Sequence, residues 1–158
     1  MESSEEHFIG KIAQKAIVVY DNKVLLTSDP RVSEEIWELP GGRMNVGEEP
    51  RKALTRELKE ELGVDFDIHE VVHMEQFLQG NEKSNAFVIV YRGTIKNPNQ
   101  KFVTDSSEVS AVKWFSEAEV KNLKLFPEYK RALDVFFAAK QAWNNKYFTF
   151  TGENLTKT

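Results

Sequence analysis

The chain has 158 residues, 41% apolar and 29% charged, which suits one globular domain with its own core. Its net charge of −4 argues against broad nucleic-acid binding, which needs basic surface, but leaves a single nucleotide open, because a metal can supply positive charge locally. There is no cysteine, so disulfides, thiolate catalysis and Cys-ligated zinc are excluded.

The opening MESSEEHFIG is acidic and lacks an apolar h-region, so it does not read as a signal peptide. No apolar run approaches membrane-spanning length, and a cytoplasmic soluble protein is expected. Residues 1–10 read as a loosely held N-terminal extension. AIVVY (16–20) and KVLLTS (23–28) flank Asp21-Asn22, the pattern of a β-hairpin. SDPRVSEE (28–35) reads as a loop, and IWELP (36–40) as a short strand or extended piece stopped by Pro40 and Gly41-Gly42. A helix is predicted over about 50–62, with Pro50 in its first turn, Glu48 and Glu49 at the positive end of its dipole, and Gly63 closing it. DFDIHEVVHMEQFLQ (65–79), NAFVIVYRGTI (85–95) and VSAVKWF (109–115) are rich in β-branched and aromatic residues and read as strands. Residues 80–83 join the first two of these as a hairpin loop, and 96–108 form a longer polar connection.

Ser116 N-caps a short helix over 116–123. Pro127 starts a long one over 127–146, on which Tyr129, Leu133, Phe136 and Phe137 recur at three- and four-residue steps. Trp143 continues that face, and Lys140 interrupts it with a stem that can lie along apolar surface. The tail, 147–158, is left open between a strand and a loose end. Strands, helix, strands, helix, helix is the order of an α+β fold, a mixed sheet with helices packed on it, in a single domain over 11–146.

The helix at 50–62 poses the chemical question. At about 100° per residue, Leu54, Leu58 and Leu62 form one apolar stripe. Glu57 and Glu61 stack four apart beside that stripe, and Glu60 is the next neighbour round. Like charges so placed repel, and partial burial adds a desolvation cost. Spacing alone leaves two readings: a solvated acidic face with a surface Arg56–Glu60 pair, or carboxylates gathered around a hard divalent cation such as Mg²⁺, which takes oxygen ligands.

The surrounding residues resemble the signature of the Nudix hydrolases. Gly42, then Glu48, then Arg56-Glu57-Leu58, Glu60-Glu61 and Gly63-Val64 fill every specified position, and WELPGG before and AVKWFS after are similar to the family's flanks. The resemblance implies an α/β/α sandwich with a mixed β-sheet between helices. It implies hydrolysis of a nucleoside diphosphate linked to another group X with Mg²⁺ or Mn²⁺, and a homodimer as the family-based expectation. It implies that Glu57, Glu60 and Glu61 bind metal, that Glu48 and Arg56 orient them, and that Gly41 and Gly42 let the backbone approach metal and diphosphate. Glu108 is a candidate loop ligand or base, with Asp105 the other carboxylate of that loop; an ordinary loop residue is the alternative for Glu108.

Trp37 is a candidate for stacking on a base, against an ordinary core role. Arg43, beside Gly42, and Arg31 are candidate forked donors to phosphate. His69 and His73, on one predicted strand, are weighed as a pH-sensitive or metal-binding pair against half-exposed strand residues. Phe77, Phe87, Tyr91 and Trp114 read as core. Marks of the ADP-ribose, dinucleoside polyphosphate, coenzyme A and NADH subfamilies are not found outside the signature, which leaves nucleoside triphosphates, modified ones included, and nucleotide sugars. An ADP-ribose or dinucleoside polyphosphate hydrolase is the alternative substrate reading, and a non-catalytic nucleotide sensor is the rival function. The retained glutamates favour an enzyme.

Overall fold

The computed structural model describes residues 6–33, 35–81, 83–144, 148–151 and 154–157, with side chains described through Lys140. The hairpin predicted around Asp21-Asn22 is β1 (Lys11–Tyr20) and β2 (Lys23–Ser28). Both turn residues adopt positive φ, 50° and 58°, the conformation of a two-residue turn whose twist matches its strands. β3 (Trp37–Glu38) and β4 (Gly41–Arg43) are short and are followed by α1 (Pro50–Leu62). Next come β5 (Phe66–Gln79), β6 (Ser84–Ile95), β7 (Ala111–Ser116), α2 (Glu117–Val120) and α3 (Pro127–Asn144). β8 (Phe148–Thr151) and β9 (Asn154–Lys157) pair as a separate hairpin, so the part of the tail that is described takes the strand alternative.

β1 is the axis of the sheet. It pairs antiparallel with β2 and β4 and parallel with β6, while β5 lies antiparallel on β6 and both β3 and β7 on β2. The sheet is therefore mixed. Its AIVVY run is continuously apolar because β1 is covered on both faces. Ala16 and Val18 pack with Leu54, Leu58 and Leu62 of α1, while Ile17 and Val19 pack with Leu133, Phe136 and Phe137 of α3. Two helices on opposite faces of a mixed sheet make the predicted sandwich. Side chains beyond Lys140, including the face expected to continue at Trp143, lie outside the described residues, as do residues 1–5 of the N-terminal extension.

β4 was not predicted, because two glycines carry no strand propensity. It forms because Gln14 and Lys15 of β1 pair with Gly42 and Gly41. Gly41 has φ 125°, and a Cβ there would fall 2.3 Å from the Gln14 carbonyl oxygen, so only glycine fits.

Gln14 breaks the apolar pattern on the α1 side of β1. It is fully buried, and its amide nitrogen and oxygen have no hydrogen-bond partner among the described residues. Unpaired buried polar atoms cost about 1–3 kcal/mol, and at about 2–4 °C per kcal/mol for a chain of this size Gln14→Met, of similar volume, is expected to raise the thermal midpoint by about 2–12 °C. A lowered midpoint in a thermal melt would show that the amide is in fact satisfied.

Candidate active site

α1 begins and ends as its sequence dictates. Glu49 caps it, accepting hydrogen bonds from the backbone N–H groups of Arg51 and Lys52, and Gly63 closes it in the left-handed conformation at φ 67°. Burial of Leu54, Leu58 and Leu62 fixes the rotation of the helix, and that rotation turns Glu57 and Glu61 toward β4. The Glu61 carboxylate accepts the Gly41 N–H at 3.0 Å. A Cβ on Gly42 would lie 2.4 Å from Oε2 of Glu57, so the bare glycine is what lets the carboxylate lie against the strand.

Arg56 gathers the remaining acids. Its guanidinium donates to Glu48 at 2.9 and 2.8 Å and to Glu60 at 3.1 Å, and lies 3.1 Å from Glu57. Those hydrogen bonds from Arg56 hold the Glu48 carboxyl below the usual carboxylate range. Glu57 and Glu61 go the other way. Burial raises both; for Glu61 it outweighs Lys15 and the Gly41 N–H and pushes the carboxyl up to about 7.

Glu57 and Glu61 open onto a cleft of about 910 Å³ that runs between the glycine strand, the end of β5 and the start of α3. Gly41, Gly42, Arg31, Arg43 and Glu108 line it as well. Arg31 enters it paired to Asp29 through two side-chain nitrogens, at 3.0 and 2.9 Å. Glu60 does not line the cleft: its side chain is 57% exposed and directed to Arg56 along the outer flank. Trp37 is also absent from the lining. Its ring packs edge-on against Phe115 with centroids 4.8 Å apart, beneath Lys113, so the core role replaces base stacking. Asp105 accepts the Ser107 N–H and hydroxyl within its own turn and stays out of the cleft.

The histidines separate. His69 pairs with Thr94 at 2.8 Å and His73 with Glu75 at 3.0 Å, on a β5 whose register shifts twice between Ile68 and His73. Phe77, read as core, packs on the α3-side core and also lines the cleft.

Lys15, Glu38, Phe126, Glu128 and Tyr129 are cleft residues that the sequence reading missed. One signal was available: Lys15 is a lone cation beside the apolar AIVVY run, on a strand buried on both faces. The Lys15 ammonium is itself buried, donates to the Gly41 carbonyl at 2.9 Å, lies 3.8 Å from Glu38 and sits 5.3 Å from the centroid of Tyr129.

Among the described residues no three carboxylate or imidazole groups converge closely enough to form a metal cage as they stand. The expected set of Glu57, Glu60, Glu61 and Glu108 is thus not pre-assembled, because Arg56 holds Glu60 outward and Glu108 is an exposed loop residue. The chemistry of the inner pair nevertheless fits a hard divalent cation. Glu57 and Glu61 are oxygen donors whose burial disfavours their own negative charge, set against glycine backbone that leaves room beside them.

A model of the NUDIX domain matches residues 12–136. The CTP pyrophosphohydrolase of Escherichia coli (strain K12) is 31% identical over 129 residues, which cover 80% of this chain and 91% of that protein. The RNA pyrophosphohydrolase of Roseobacter denitrificans is 30% identical over 120 residues, covering 65% of this chain and 75% of that one. The solution structure of the E. coli ORF135 protein superimposes with a TM-score of 0.70 at 27% identity, over 84% of this chain and 91% of that one. No described helix is long and apolar enough to cross a membrane. The complete signature, the mixed sheet between helices and the matched span together place this chain in the Nudix hydrolase family, whose members are pyrophosphohydrolases that act on nucleotide diphosphate substrates and use divalent metal ions.

Proposed function

We propose that the chain, as a single domain over 11–146, hydrolyses the diphosphate linkage of a nucleoside triphosphate, modified ones included, or of a nucleotide sugar, with Mg²⁺ or Mn²⁺. One observation carries the reading: two desolvated carboxylates, Glu57 and Glu61, lie against Gly41 and Gly42 in a cleft large enough for a nucleotide. The similarity to a CTP pyrophosphohydrolase along most of both chains supports a triphosphate.

Glu57 and Glu61 would hold the cation, with Glu60 recruited from the flank and Glu108 from its loop. When bound, the cation supplies neutralisation of the diphosphate oxygens and activation of water for attack on phosphorus. Arg56, tied to Glu48, orients Glu57 and Glu60. Arg43 and Arg31 face the cleft as donors for phosphate oxygens. A glutamate left free of metal can take the proton of the attacking water.

The test is release of phosphate or pyrophosphate from a panel with Mg²⁺: the common nucleoside triphosphates, oxidised ones, a nucleotide sugar, ADP-ribose and a dinucleoside polyphosphate. Turnover of a triphosphate or a nucleotide sugar is the expected result. Turnover confined to ADP-ribose or the dinucleoside polyphosphate would transfer the assignment to those classes. Binding without turnover would make the protein a sensor.

A further inference from the structure

β5 is an outer strand of the sheet: β6 pairs with it on one side, and no strand among the described residues pairs with it on the other. Such an edge offers unpaired N–H and C=O groups to any strand that approaches, and proteins blunt it with bulges, proline or lysine. β5 is blunted only in its first half, where its register on β6 shifts twice between Ile68 and His73. From His73, opposite Val90, to Gln79, opposite Ser84, the pairing runs without a break. That stretch, HMEQFLQ, holds no proline, lysine or arginine. Among the described residues its backbone makes one hydrogen bond outside the β5–β6 ladder, from the Ser84 hydroxyl to the Gln79 carbonyl at 3.2 Å.

The side chains of the stretch alternate. Phe77 packs in the α3-side core, and Glu75 on the same face accepts from Arg131 of α3 at 2.8 Å. Met74, Gln76 and Leu78 point the other way and are exposed, Met74 to 58% and Leu78 to 60%. Opposite residues of an antiparallel pair share a face and touch. A two-fold axis through Gln76 therefore sets Met74 against the partner's Leu78, and Leu78 against the partner's Met74, so each exposed apolar side chain gains an apolar neighbour. Gln76 is also the midpoint of the regular stretch, so this register uses all of it. An axis at Met74 would set Leu78 against the partner's Glu70 in the bulged half, and an axis at Leu78 would run Met74 past the turn that begins at Gly80. Charge agrees with the central register. Glu75 falls opposite the partner's Phe77 and is already paired to Arg131 of its own chain, so no like charges meet.

We infer that a second copy of this chain docks on β5, with His73–Gln79 of the two copies paired antiparallel about a two-fold axis at Gln76. The same surface serves both copies and the open edge is used up, so assembly closes at a dimer. Gln76, Phe77, Leu78, Gln79 and Gly80 also line the cleft, so the partner's strand backs that wall of the site. The inference is independent of the hydrolytic assignment. A strand pair of this length makes a small interface, and a Kd on the order of 10 µM is expected.

The native chain has no cysteine, so single cysteines read the register directly. In the dimer the two Gln76 Cα atoms lie about 4.5–5.5 Å apart, within reach of a disulfide. The two Leu78 positions are offset by about 13 Å along the strands, beyond that reach. On mild oxidation Gln76→Cys is expected to form a linked dimer and Leu78→Cys to stay monomeric, whereas Met74→Cys mixed with Leu78→Cys is expected to link one variant to the other. Sedimentation of the native chain over a hundredfold dilution from about 100 µM is expected to show the dimer dissociating. Met74→Lys, checked for folding by circular dichroism, is expected to weaken the dimer at least tenfold. A native chain that is monomeric at the highest concentration overturns the inference. So does a Met74→Lys dimer within twofold of native, a Leu78→Cys protein that links as readily as Gln76→Cys, or failure of both expected cysteine arrangements to link.

Discussion

Glu61→Gln is expected to lower kcat by about 10²–10⁴-fold, the range seen when a positioned acid–base or ligand carboxylate is lost. The substitution is nearly isosteric, and the glutamine carbonyl can still accept the Gly41 N–H, so the fold should survive. What disappears is the negative charge beside Glu57. The loss should fall on kcat rather than on KM, because an interaction made mainly in the transition state is removed. Substrate-panel kinetics with Mg²⁺ check this. A Glu61→Gln protein that turns over at the native rate would show that the acidic pair is structural.

The second large effect concerns stability. Free of divalent cations, the native chain is expected to lose stability as pH rises from about 4.5 to about 7. The folded state holds the Glu61 proton up to about 7, whereas the unfolded chain releases it near the ordinary value of 4.5. Between these values the unfolded state binds fewer protons, so raising the pH favours unfolding. The gap corresponds to a contribution on the order of 3 kcal/mol at full ionisation. Other carboxylates titrate over the same range, so the comparison must be with Glu61→Gln. Urea unfolding at pH 5 and pH 8 in chelator should show native stability falling relative to the variant, and Mg²⁺ should return the difference at pH 8, since a ligand bound only by the folded state stabilises it. Parallel pH profiles for the two proteins would contradict the burial-driven shift.

Local signals were strong where one physical cause acted alone. The bounds of α1 were readable because Pro50 and Gly63 mark its ends and the leucine stripe fixes its face. The turn at Asp21-Asn22 and the strands of β5, β6 and β7 were readable for similar reasons. β4 was hidden because its residues are there for steric room, which no propensity records. The acidic pair was legible from helical spacing, yet its division from Glu60 was not. That division depends on Arg56 reaching three acids at once, a tertiary arrangement. The cleft's other wall was missed for the same reason. Tyr129 reads as one more member of an apolar stripe until Lys15, 114 positions earlier, is found above its ring. Trp37 misled in the opposite sense, since adjacency to the glycine strand says nothing about which way the ring turns.

The most direct measurement is a crystal soaked in Mn²⁺ and examined for anomalous scattering. A peak within ligand distance of the Glu57 and Glu61 carboxylates, beside Gly41 and Gly42, is the expected result. No peak there, with both side chains turned into bulk water, would contradict the account.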